Sequence, residues 1–221
     1  MTHQDAPQPF PENYFQRVDG NDDRLFYTEP RLVTHIDDHA IAAIGGFFQQ
    51  HLPRNSTILD LMSSWRSHLP DGFPTEKVVG LGMNEVEMRE NPQLDEWVIH
   101  DLNSDPQLPF ETGAFDAVVV TVSIQYMTGP VEVFSEVRRI LKDDGAFYVI
   151  YSNRMFPTKA VAIWQNLSDN QRAQLIASYF VKSARWSQPT ARDVSPDLGF
   201  RTDPVFIVSA NKLGTQAASG N

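Results

Sequence analysis

No cysteine occurs among the 221 residues. That excludes disulfides, thiolate metal centres and cysteine nucleophiles, and it fits a reducing, cytoplasmic setting. No apolar run approaches the roughly 20 residues needed to span a bilayer, so no membrane partner is expected. The opening MTHQDAPQPFPENYF has neither a basic flank with an apolar segment nor an Arg-rich amphipathic pattern, so no targeting signal is expected. Positive charge is scarce: 18 Lys and Arg against 28 Asp and Glu leave a formal charge of −10. Phosphate backbones are bound by clustered Lys and Arg. The nearest approach to a cluster, Arg138, Arg139 and Lys142, sits on what reads as an ordinary amphipathic helix. Nucleic acid is therefore not the expected partner, and a small molecule or a protein is. A GxSxG elbow, a P-loop and a zinc-ligand pattern are also missing. Repeats and internal linkers are absent, and the oligomeric state is left open.

What the chain does contain is globular: 41% apolar and 11% aromatic residues. Residues 1–24 are rich in Pro, Asp, Asn and Gln and are expected to form a flexible arm. Residues 214–221, GTQAASGN, are expected to be a disordered tail, leaving one domain over 25–213. A helix is expected over about His35–His51, with Thr34 and Asp37 as a capping box and Ile41, Ile44, Phe48 and Leu52 on one face. Gly45 and Gly46 each weaken it by roughly 1 kcal/mol, which suggests close packing there.

After Pro53 the pattern becomes strands alternating with helices or loops. The runs are TILDL (57–61), VVGL (78–81), WVIH (97–100), AVVVTV (117–122) and AFYVIY (146–151). Runs this apolar suit parallel strands covered on both faces. Between the last two, PVEVFSEVRRILKDDG reads as a helix with Pro130 in its first turn and Gly145 as its stop. A further helix is expected over 168–182, with Leu175, Ile176, Tyr179 and Phe180 inward. Residues 204–210, PVFIVSA, then form a strand antiparallel at the sheet edge. The order predicts a doubly wound α/β domain, mostly parallel with an antiparallel edge strand.

Residues 108–150, LPFETGAFDAVVVTVSIQYMTGPVEVFSEVRRILKDDGAFYVI, resemble the class I S-adenosylmethionine (SAM)-dependent methyltransferases of the type 11 kind. The resemblance extends over 56–152. It implies a Rossmann-like methyltransferase sheet, SAM as cofactor and a small-molecule acceptor. It also implies site residues. Asp60 corresponds to the acid that precedes the family's glycine-rich loop, and Asp101 to the carboxylate that takes the adenine amino group. Leu102 corresponds to a position against the ring. Asp116 begins the fourth strand, as in the family's FD pair, where a structural turn role is preferred.

Two positions depart from that pattern. Met62-Ser63-Ser64-Trp65 stands where the family has GxGxG, so the serine hydroxyls would bind the amino-acid end of the cofactor, while Trp65 must point aside, stack or obstruct. A short, interrupted helix is expected to follow. Gly82 stands where a ribose-binding acid belongs, leaving Asn84 or Glu85 to reach that sugar. The strings LDLMSSWRSHLP, GMNEVEMRENP and SNRMFPTKAVAIW are similar to a subgroup of methyltransferase-like proteins with this alternative loop.

Methyl transfer rests largely on positioning and water exclusion, with a general base needed only if the acceptor must lose a proton. Gln125 and Tyr126 fall near the cleft, Gln125 toward the cofactor and Tyr126 as a base or orienting group. A cap segment over 26–40 would bring Arg31 and His35 to an acidic acceptor. No metal is expected, although His35 and His39 are four apart. Lys159 is expected in solvent. The implied function is methyl transfer to a small molecule; the alternative is a non-catalytic binding protein of the same fold.

Overall fold

The computed structural model describes residues 10–214. Its strands are β1 (Thr57–Leu61), β2 (Lys77–Gly82), β3 (Glu96–Ile99), β4 (Phe115–Thr121), β5 (Leu141–Tyr151), β6 (Thr190–Asp193) and β7 (Phe206–Asn211). They form one sheet in the order β3-β2-β1-β4-β5-β7-β6. The first five are mutually parallel, whereas β7 runs antiparallel to both β5 and β6. The expected doubly wound sheet is therefore present, with its direction of winding reversing between β1 and β4.

Alternation of side chains divides each strand between two cores. Leu59, Leu61, Val118, Val120, Phe147 and Val149 face one side. There they pack against α4 (Pro130–Ile140), through Phe134 and Val137, and α6 (Asp169–Ser183), through Ile176 and Phe180. Ile58, Val78, Val119 and Ile150 face the other side, against Ala40, Ile44, Phe47 and Phe48 of α2 (Asp38–His51). Each fully buried side chain of this size contributes about 1.5–3 kcal/mol over its exposed state, so both layers are needed.

Several local expectations are corrected. Helix α2 starts at Asp38, and its cap is Asp37, whose carboxylate accepts from Ala40 N–H at 2.8 Å. A capping box occurs instead at the start of α6, between Ser168 and Gln171. Helix α4 ends at Ile140 and runs straight into β5. Gly145 does not stop it; a Cβ there would lie 2.9 Å from the Lys142 carbonyl and 3.0 Å from that of Asp116. Gly46 meets nothing within 4 Å, so packing does not require a glycine at that position. The short helix expected after β1 is missing, and residues 62–76 form a loop. Strand β7 is not the edge, because β6 pairs beyond it.

The segment read as a flexible arm is held down from Phe10 onward. The rings of Phe10 and Phe15 lie 5.6 and 6.2 Å from that of Tyr179. Asp19 N–H donates to the Thr158 carbonyl at 2.8 Å, and Ala162 N–H to that of Gln16 at 2.8 Å. Residues 1–9, and the expected tail from Thr215 on, lie outside the described residues. Among the described residues no helix is long and apolar enough to cross a membrane.

Candidate active site

A cavity of ≈ 230 Å³ lies at the carboxyl ends of β1, β2, β3 and β4, across the point where the winding reverses. Two strand ends there adopt left-handed backbone without glycine: Met62 after β1 (φ 58°) and Val122 after β4 (φ 53°). For the β-branched Val122 this is a true outlier. Strain of this kind, about 1–3 kcal/mol per residue, collects at functional sites. Both residues line the cavity.

The loop after β1 folds back over the end of β2. Ser63 N–H donates to the Leu81 carbonyl at 2.8 Å, and the Ser63 hydroxyl donates to Asp60 at 2.6 Å. This contact explains the glycine at 82. A Cβ on Gly82 would fall 2.3 Å from the Ser63 carbonyl oxygen, so no larger residue fits without moving the loop. Trp65 points aside, its indole N–H donating to the Val33 carbonyl at 3.0 Å, and it is not part of the cavity wall.

Most of the residues singled out in the sequence come together. Met62, Ser63, Ser64, Asn84, Asp101, Leu102, Tyr126, His35 and Arg31 all line the cavity. Asp60 and Gln125 do not; both are buried behind the wall. Burial pushes the Asp60 carboxyl up to about 6, against the hydroxyl of Ser63, which favours its charged form. Gln125 donates to the Val122 and Arg154 carbonyls and braces the loops that follow β4 and β5. Asn84 lines the cavity, but its amide N–H groups go to the Tyr27 and Thr28 carbonyls and its oxygen caps α3 (Glu85–Arg89). Glu85 is exposed, outside the cavity wall. Asp101 accepts from Asn103 N–H at 3.0 Å, which fixes its carboxylate at the cavity wall.

Burial raises the Tyr126 hydroxyl above its ordinary value, and its oxygen accepts from Phe156 N–H at 2.8 Å. Phenolate formation is disfavoured there, so Tyr126 is placed to orient rather than to take a proton. Partial desolvation lowers His35 below its ordinary value, and its ring lies edge-on to Phe156 at 5.1 Å. His35 precedes α2, while His39 packs on Phe200, so the two do not converge as a metal pair.

Sequence reasoning missed a carboxylate of the cavity wall. Glu87 is buried on α3 and lines the cavity, accepting from Arg31 N–H at 2.7 Å and from the Ser64 hydroxyl at 2.7 Å. Asn84 and Glu87 have capping-box spacing, and the Glu side chain turns to the cap segment and the β1 loop instead of back to Asn84. The anchoring of the cap was also missed. Asp23 accepts from Arg17 at 2.7 Å, from Asn103 at 2.8 Å and from Lys159 at 3.0 Å. Burial pushes Asp23 up, but these partners outweigh it and hold the carboxyl below its usual range. Lys159, expected in solvent, is 1% exposed at this junction. Breaking such a buried pair costs about 3–5 kcal/mol, so the segment that leads into the cap is firmly attached. Asp116 has the structural role preferred for it, accepting from Thr57 N–H and Lys142.

Residues 69–149 match the model of a family described as a methyltransferase domain. The match begins within the loop that follows β1 and covers less than half of the chain. No curated protein matches. Among solved structures, a [4+2]-cyclase is 12% identical with a TM-score of 0.58, covering 83% of this chain and 89% of that one. A candidate SAM-dependent methyltransferase from Listeria monocytogenes is 14% identical with a TM-score of 0.55, covering 80% and 100%. The geranyl diphosphate C-methyltransferase of Streptomyces coelicolor, solved with Mg2+, geranyl-S-thiolodiphosphate and S-adenosyl-L-homocysteine, is 16% identical with a TM-score of 0.50, covering 78% and 76%. The chain therefore has the Rossmann-like α/β fold of these proteins and carries a methyltransferase-domain match through the middle of that fold.

Proposed function

We propose that the cavity seats SAM and that the chain transfers a methyl group to a small-molecule acceptor. The observation that carries this reading is the cavity's position at the carboxyl ends of β1 to β4, across the winding reversal. Open α/β sheets bind ligands in that crevice. The methyltransferase-domain match and the likeness to methyltransferases of the same fold support it.

In this reading Asp101 takes the adenine amino group and Leu102 packs on the ring. Met62, Ser63 and Ser64 flank the amino-acid end, with Asp60 bracing Ser63 from behind and Gln125 bracing the loops after β4 and β5. Asn84 holds the cap to α3. Residue 82 has no room for an acid, so Glu87 supplies the carboxylate beside the ribose. The Ser63-Ser64-Trp65 loop is then a working alternative to a glycine-rich one. SAM supplies an electrophilic methyl on sulfonium. The chain's own part is to orient the acceptor through Tyr126 and Arg31, exclude water with the cap, and take a proton at His35 where the acceptor must lose one.

A second reading, a non-catalytic protein of this fold with an altered cofactor site, is favoured by the contact of Ser63 with Gly82. The likeness to a [4+2]-cyclase shows that the fold also accompanies other chemistry. Incubation with SAM and a panel of small acids, phenols and amines, with S-adenosylhomocysteine read by mass spectrometry, separates the two. Acceptor-dependent S-adenosylhomocysteine supports transfer; SAM binding without any such product supports the second reading.

A further inference from the structure

We infer that Arg31 is an anion receptor built into the cavity wall, and that it takes the single carboxylate of a bound small molecule. The inference rests on the reading of the cavity as a small-molecule site and names the chemistry that this site selects.

The Arg31 guanidinium lies 4.3 Å from the centre of the Phe26 ring, 5.4 Å from that of Phe156 and 5.7 Å from that of Tyr27. Its Nη2 donates to the Phe26 carbonyl at 2.9 Å. Its Nη1 is buried and has no hydrogen-bond partner, although Arg31 lines the cavity. Ring faces stabilise the charge but leave the N–H groups at the guanidinium edge unsatisfied. A buried charged donor without an acceptor is costly, and a planar carboxylate is the acceptor whose geometry fits that edge.

The surrounding charges explain why the partner must come from outside the chain. Among the described residues, no carboxylate forms an ion pair with Arg31. Glu87 is committed to the Arg31 backbone N–H and the Ser64 hydroxyl. Asp23 is held by Arg17 and Lys159, and Asp203 by Arg154. The walls still carry the carboxylates of Glu87 and Asp101. Of the two arginines that line the cavity, Arg154 is paired with Asp203 and Arg31 has no carboxylate partner among the described residues, so the wall offers one free guanidinium, enough for one carboxylate and short of a phosphate dianion. The rings of Tyr27 and Phe156 and the side chain of Met155 give the rest of the ligand an apolar seat.

Two molecules in the proposed reaction can carry this carboxylate: the amino-acid end of the cofactor and an acidic acceptor. Calorimetric titrations of the wild type, Arg31→Met and Arg31→Lys distinguish them. One arm compares S-adenosylhomocysteine with 5′-methylthioadenosine, which lacks the amino-acid end. The other compares benzoate with uncharged benzamide, with and without S-adenosylhomocysteine.

The expected result is a loss of tenfold or more in Arg31→Met for one of the two acids. Its uncharged counterpart should bind unchanged, and Arg31→Lys should recover part of the loss. A loss confined to S-adenosylhomocysteine assigns the cofactor's carboxylate, and a loss confined to benzoate assigns the acceptor's. Equal losses for charged and uncharged ligands, no loss for either acid, or a wild type that binds neither acid would overturn the inference. If the wild type binds benzoate but not S-adenosylhomocysteine, the cofactor reading fails while the benzoate arm still decides the role of Arg31.

Discussion

Replacing Gly82 with alanine is the sharpest way to perturb the site, because one added carbon meets a fixed backbone atom. The new Cβ would sit 2.3 Å from the Ser63 carbonyl oxygen and 3.0 Å from the Met88 sulfur. Methionine can turn away, but Ser63 is tied by its N–H to Leu81 and by its hydroxyl to Asp60. Relief must therefore come from moving the β1 loop. Overpacking of this kind costs about 1–3 kcal/mol, and weakening the Ser63–Leu81 hydrogen bond adds about 1 kcal/mol. For a domain of this length, a loss of about 3 kcal/mol lowers Tm by roughly 6–12 °C. Scanning calorimetry measures the drop, and titration with S-adenosylhomocysteine should show weaker binding because Ser63 and Ser64 are displaced. Gly82→Asp, which places there the acid that the family resemblance implies, should weaken binding further and not improve it. A Gly82→Ala protein with unchanged Tm and unchanged affinity would refute the claim that this glycine is imposed by the loop.

Gly46 is the opposite case: its position is exposed within α2 with nothing nearby, so Gly46→Ala should stabilise the protein by about 1 kcal/mol in urea unfolding. Asp60, raised to about 6 by burial, holds its proton more tightly when folded than the ordinary carboxyl at 3.8. Its contribution is fully present below about pH 4 and is lost as pH rises through 6, amounting to about 3 kcal/mol. Asp60→Asn should remove that loss and make the protein more stable at pH 7. His68, lowered to about 4 by burial, works in the other sense: its contribution is present above pH 6.5 and disappears as pH falls through 4. Unfolding at a series of pH values should therefore show Asp60→Asn falling more steeply in acid than the wild type. A parallel profile would remove the argument from Asp60. Asp101→Ala should weaken SAM binding by more than about 1 kcal/mol, the scale of a charge-assisted hydrogen bond, and a folded variant with full affinity would rule out that contact.

The sheet was legible because Leu59, Val118 and Phe147, and opposite them Ile58, Val119 and Ile150, lie in continuous apolar runs that only doubly covered strands sustain. The exposed β6, TARD, carries no such pattern, and its pairing with β7 depends on tertiary context. Asp101 and Leu102 were placed by the family resemblance, and both line the crevice just past the end of β3. Asp60 and Gln125 are near the same ends but point behind the wall, a one-residue difference of direction that spacing does not resolve. Glu87 stayed hidden because its spacing from Asn84 reads as a helix cap, and its actual partners are 56 and 23 positions away in the chain. The contacts of residues 10–24 were hidden for a similar reason. Phe10, Phe15 and Asp23 stand in a polar, proline-rich stretch and gain their meaning only from Tyr179, Lys159 and Asn103.

The central claim, that this cavity is a working cofactor site despite Gly82 and the serine loop, is tested most directly by calorimetric titration of the wild-type protein with SAM and S-adenosylhomocysteine. The account predicts micromolar, one-to-one binding of both. A protein shown to be folded that binds neither up to millimolar ligand would contradict it and leave the methyltransferase fold in another use.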